Sequence, residues 1–189
     1  MKSKVEFLKI YKEFETKYII ENIKNNKKND VNSRVYHLTM VFHPNLFQGR
    51  ESFGKTGRQR KELIGKLSPL LFERFRNWWI YGLDDYFPHF YRKSKRPFQP
   101  ICHAFIDDKT DDEPYPHIHA VCWVPGNLVR GFEKWASRES DLFDRLDIRP
   151  ADTTDEHLSN VVKYVSKYHS KCVLDDQSYR FYACFPADY

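Results

Sequence analysis

The chain has 189 residues, 41% of them hydrophobic and 30% charged, with a net charge of +5. This length suits one well-packed domain and is short for two, and the composition excludes a disordered chain. The basic balance favours a polyanionic partner, and an aromatic share of 16% supplies both core and stacking surface for bases.

No apolar run reaches the roughly 18 residues of a membrane span, and the N-terminus lacks the apolar centre of a signal peptide. A soluble, cytoplasmic protein with no membrane partner is expected. The cysteines Cys102, Cys122, Cys172 and Cys184 form no Cys-x-x-Cys pair, which argues against a zinc knuckle or a dithiol redox site and predicts buried, reduced thiols. One domain over 1–189 is expected, and the ending Phe185-Pro186-Ala187-Asp188-Tyr189 is compatible with a longer natural chain.

Residues 3–25 carry Val5, Leu8, Tyr11, Phe14, Tyr18, Ile19 and Ile23 at helical spacing, and the Asn/Lys/Asp run 25–32 is expected to end that helix. The β-branched and aromatic stretch 34–42 predicts a buried strand stopped near Pro44. Residues 44–59 read as a loop. A second helix is expected over 60–81, carrying Leu63, Leu67, Leu70, Leu71, Phe75, Trp78 and Trp79 and adjusted around Pro69. A strand at 98–106, an acidic turn at 107–116 and a strand at 117–124 predict a β-hairpin. A helix at 127–143 packs through Leu128, Phe132, Trp135 and Phe143. A short strand at 145–149 follows, then a helix at 155–170 opened by Thr154 or Asp155, and a last strand at 179–184. Helices and strands interleave around an antiparallel hairpin, so the fold class is α+β.

Two patterns carry chemistry. In His117-Ile118-His119 the two imidazoles of a strand project to one side, while Ile118, Ala120 and Cys122 alternate into the core. Neutral imidazoles can hold Mn²⁺, Mg²⁺ or another divalent ion with positions left for substrate oxygens. Because Mg²⁺ prefers oxygen, a third ligand matters. A hairpin register with residue 103 opposite 119 makes His103 the expected third ligand, with Asp107, Asp112 and Glu113 in the turn as competitors. The competing account is a pair of hydrogen-bonded histidines on a sheet surface.

The second pattern is Tyr164-Val165-Ser166-Lys167-Tyr168-His169-Ser170-Lys171. Tyr164 and Tyr168 fall one turn apart on one helix face, with Lys167 and Lys171 three residues after each. A phenol is a poor nucleophile at neutral pH. It needs neighbouring cations and a neutralised phosphorus to attack a phosphodiester. The alternative is aromatic packing beside the apolar stripe of Leu158, Val161, Val162 and Val165.

Three stretches, in order, resemble the HUH endonucleases, and within them the two-tyrosine rolling-circle replication initiators of phages and plasmids. Tyr36-His37-Leu38-Thr39-Met40 resembles their first-strand motif, His117-Ile118-His119 the metal motif, and Tyr164 to Lys171 the catalytic helix. The resemblance spans about residues 35–171. It implies a five-stranded antiparallel sheet flanked by helices, a divalent metal, and nicking of single-stranded or hairpin origin DNA. The products would be a 5′-phosphotyrosine and a free 3′-OH, with a host helicase as a further partner. Tyr164 would act first and Tyr168 would resolve the intermediate.

Two basic clusters, Lys55, Arg58, Arg60 and Lys61, then Arg92, Lys93, Lys95 and Arg96, are expected on loops as phosphate contacts. Other readings remain: a transposase or relaxase of the same superfamily, a two-histidine phosphoesterase using His37-Leu38-Thr39, or a non-catalytic nucleic-acid-binding module. A hydrolase with a His-x-His-x-His centre is opposed by Val121.

Overall fold

The computed structural model describes residues 4–47, 58–84, 99–107, 115–138, 140–167, 169 and 182–185. Five strands form one antiparallel sheet: β1 (Arg34–Val41), β2 (Ile101–Asp107), β3 (His117–Val124), β4 (Arg145–Ala151) and β5 (Tyr182–Phe185). Their order is β4-β1-β3-β2-β5, with β3 at the centre. Four helices, α1 (Lys4–Asn29), α2 (Arg58–Asp84), α3 (Val129–Ala136) and α4 (Asp155–Val165), complete an α+β fold.

Strand alternation divides the sheet's side chains between two cores. On one face Leu38, Met40, Cys102, Ala104, Ile106, Ile118, Ala120 and Cys122 meet the apolar sides of α2 and α3. Trp78 and Trp135 stack there with ring centroids 4.2 Å apart. On the other face Val35, Phe105, Val121 and Trp123 meet Ile19 and Ile23 of α1 and Leu158, Val162 and Val165 of α4. Both faces of β3 are therefore covered, and every residue of it is buried. The histidines of β3 do not look from an open sheet surface into solvent; they lie beneath the second helical layer.

Several boundaries differ from the periodicity. Helix α1 runs on to Asn29 because its last turns are tied to the start of α4. Lys24 pairs with Asp155, and Lys27 Nζ donates to Thr153 Oγ1 at 2.8 Å. Asp30 then accepts from the Asn32 and Gly126 amides, binding the α1–β1 turn to the β3–α3 turn. A Cβ on Gly126 would lie 2.6 Å from that of Asn32, so only glycine fits this close approach. The strong helix formers at 58–62 start α2 two residues before the expected boundary, and it runs through Pro69. The ring removes the donor that would have reached the Gly65 carbonyl, and Ser68 Oγ donates to that oxygen instead, at 3.0 Å. The helix expected over 127–143 is broken: a 3₁₀ turn at Gly126–Leu128 leads into the two-turn α3, which stops at Ala136. Phe143 reaches the core from the following turn, against Trp78, because the Asp144 amide already bonds the Val41 carbonyl and begins the β4 pairing. Cys102 and Cys122 are buried free thiols, Cys184 a half-buried one, and Cys172 lies outside the described residues. No helix among the described residues is long and apolar enough to cross a membrane.

Candidate metal and tyrosine site

The sheet register assembles the site in rows on the α1/α4 face. Asp107 of β2 is the cross-strand partner of His117. One row further, Phe105 faces His119, His119 faces Thr39, and Thr39 faces Asp147. In the next row His103 faces Val121, Val121 faces His37, and His37 faces Arg149. Directly opposed residues share a face, so these polar side chains emerge on the side where α4 lies.

His117 and His119 are nearly inaccessible, and their Nε2 atoms approach to 3.1 Å. Asp107 Oδ2 lies 3.7 Å from His119 Nε2, and one ligand atom from each of the three residues falls within 4.8 Å of the others. Ligands bound at about 2.0–2.2 Å to one ion sit roughly 3.0–3.5 Å apart, so a small rotation of the carboxylate suffices.

The outer nitrogens fit the same role. His117 Nδ1 lies 3.2 Å from the Tyr115 carbonyl, which can only accept, so Nδ1 carries the proton and Nε2 offers a lone pair. His119 Nδ1 lies 2.9 Å from Thr39 Oγ1, a hydroxyl able to donate or accept. Without an ion, His119 can give an Nε2 proton to His117. To hold an ion through Nε2, His119 would carry its proton on Nδ1 and donate it in a hydrogen bond to Thr39 Oγ1. Such outer partners fix tautomer and ring orientation in metal sites. Burial first, then the like charges of His117, His37 and Lys167, hold His119 down to about 3, so its imidazole is neutral at pH 7. Asp107, His117 and His119 therefore suit a divalent cation by donor type and spacing.

His103 is not part of this group. It stands opposite Val121 rather than His119, one row further from the metal-ligand candidates, with Nδ1 2.9 Å from the Tyr182 hydroxyl and Nε2 3.3 Å from Asn22 Oδ1. The expected register was two residues out. Asp107 gains its place because β2 extends through it, instead of ending before an acidic turn. Asp112 and Glu113 lie outside the described residues.

Tyr164 projects from α4 over this face. Its ring meets His119 edge-on at 5.1 Å and His37 at 5.6 Å, and it remains 47% exposed. Lys167 is exposed beyond it, and its charge acts on His119. Helix α4 ends at Val165, and after a turn at Ser166, whose amide bonds the Val162 carbonyl, Lys167 and His169 are again helical, within the expected 155–170. Tyr168 and Lys171 lie outside the described residues. So do Lys55, Arg92, Lys93, Lys95 and Arg96, whereas Arg58, Arg60 and Lys61 belong to the first turn of α2 and not to a loop.

Three neighbours were not among the expected site residues. His37 stacks on His119 with centroids 5.6 Å apart, and its Nε2 is buried with no hydrogen-bond partner among the described residues. Burial lowers its pKa, a shift opposed by Asp147 and reinforced by Arg149. Thr39 holds His119, and Arg149 completes the row beside His37. The signal was present in His37-x-Thr39, the same alternation as His117-x-His119, but its importance depends on β1 pairing with β3. A separate open cleft of about 650 Å³ near the α3–β4 connection, lined by His43, Ser137, Arg138, Asp144 and Arg145 among others, contains none of these groups.

No family model, curated protein or solved structure matches this chain.

Proposed function

We propose that this protein is a metal-dependent single-stranded DNA nicking and joining enzyme of the HUH type, acting through a tyrosine nucleophile to initiate rolling-circle replication. The observation that carries the reading is the seating of the half-exposed Tyr164 ring against His119, one of the three residues of the buried Asp107–His117–His119 group. A histidine pair kept for structure alone would not need a buried carboxylate beside it and an exposed phenol above it.

Bound between those three side chains, Mn²⁺ or Mg²⁺ would polarise a non-bridging oxygen of the phosphodiester. The chain's own residues supply the rest. The Tyr164 phenol gives up its proton to solvent, its oxygen bonds to phosphorus, the P–O3′ bond breaks and the 3′ oxygen takes a proton. His37 and His119, both neutral, flank the phenol and limit its directions of approach. Tyr168 is the second nucleophile: its oxygen bonds to phosphorus at a second phosphodiester, and the 3′-OH released there attacks the Tyr164 phosphotyrosine, rejoining the strand and freeing the Tyr164 phenol.

The test is incubation with Mn²⁺ and a labelled pool of single-stranded and hairpin oligonucleotides. An adduct that survives denaturation, requires metal and disappears in Tyr164→Phe/Tyr168→Phe supports nicking, and each single change should leave some cleavage. Absence of any cleavage or adduct would sink the reading. Hydrolysis of cyclic phosphates that depends on His37 would instead favour a phosphoesterase, a reaction in which Tyr164 has no part.

A further inference from the structure

We propose that Arg149 is a phosphate-binding residue of this site, holding a non-bridging oxygen of the DNA backbone beside the Tyr164 phenol; the inference rests on the strand-transfer reading above. Arg149 lies on the edge strand β4 as the direct cross-strand partner of His37, so its side chain leaves the sheet on the α4 face. The His37 ring touches that of Tyr164, and the Arg149 charge is near enough to act on both groups. The phenol thus has a cation on its β4 side, across from the Asp107–His117–His119 group. Lys167 acts on His119 and does not duplicate this position.

Two further observations bear on this position. Arg149 Nη2 pairs with Asp147 Oδ2 at 2.7 Å, and both side chains are substantially exposed. Exposed pairs of this kind contribute little, so Asp147 orients the guanidinium without withholding it from a phosphate. The planar fork then offers its remaining N–H groups to phosphate oxygens, which a lysine could not match in geometry. Next to it, His37 Nε2 is a buried polar atom with no hydrogen-bond partner among the described residues.

Because Arg149 is exposed, its replacement leaves the cores intact. Binding is measured first, in the Tyr164→Phe/Tyr168→Phe background, as the salt dependence of affinity for a single-stranded oligonucleotide. Arg149→Gln should reduce the slope of log K against log salt by about 0.7, one phosphate contact. Arg130→Gln, an exposed arginine of α3 on the opposite side of the sheet, should leave it unchanged. Single-turnover adduct formation with Mn²⁺ is measured next, with both tyrosines present. Arg149→Gln should slow it at least tenfold and Arg149→Lys less, and free guanidinium should partly rescue Arg149→Ala. A changed slope without any wild-type adduct overturns strand transfer and keeps the phosphate contact. An adduct whose rate and salt slope ignore Arg149→Gln, or respond equally to Arg130→Gln, overturns the contact. No single-strand binding at all overturns both.

Discussion

Replacing Asp107 by Asn is the sharpest perturbation of the metal site, because it keeps the shape and removes only the charge. Asp107 is buried, and its Oδ2 is 3.7 Å from His119 Nε2, so an ion between them would lose its one anionic ligand among the three. Changes to outer partners of metal ligands typically cost about 10–100-fold in affinity. Loss of the only anionic donor among the three should therefore exceed about 100-fold, roughly 2.7 kcal/mol. Mn²⁺ affinity, followed by the loss of the free-ion paramagnetic resonance signal, measures this without any DNA. Thr39→Val, which removes the hydroxyl 2.9 Å from His119 Nδ1, should fall in the 10–100-fold range. His103→Gln should change affinity by less than about threefold, since that ring is engaged by Tyr182 and Asn22 in another row. Unchanged affinity in Asp107→Asn together with a large loss in His103→Gln would refute the assignment drawn from the β2–β3 register.

Two predictions concern stability. Burial pushes the His103 imidazole down to about 4, so between pH 6.5 and pH 4 the unfolded chain binds more protons than the folded one. Stability contributed by the neutral ring is complete above pH 6.5 and is lost as pH falls through this window, by about 3 kcal/mol. Urea unfolding at pH 7, 5.5 and 4.5 should show that decline, and His103→Gln should flatten it; an equal slope in both proteins would contradict the assignment. Glu15 of α1 and His169 form a second buried pair, Oε1 to Nε2 3.0 Å, that ties α1 to the chain just beyond α4. Glu15→Ala, which leaves the buried His169 Nε2 without this contact, should cost about 2 kcal/mol and lower the thermal midpoint by about 6 °C, whereas a shift under 2 °C would mean the contact contributes little.

The chemistry-bearing alternation was legible in the chain itself. His117 and His119 share a face because a strand has a period of two, and Ile118, Ala120 and Cys122 enter the opposite core for the same reason. The amphipathic spacing of Leu158, Val162 and Val165 likewise announced a helix that would turn Tyr164 outward. Local periodicity carries that much, because it depends only on residues a few positions apart. It could not decide partners. The third ligand candidate changed from His103 to Asp107 through a shift of two residues in pairing, and both alternatives lie on the same face with the same alternation. Nor could it reveal Arg149, or that the His37-x-Thr39 alternation would stand beside His119 and Tyr164, which follows from β1 inserting between β3 and β4. Residue order along a strand sets which side chains share a face. Only the hydrogen-bonded register across the sheet, closed by α4 packing over it, decides which of them meet.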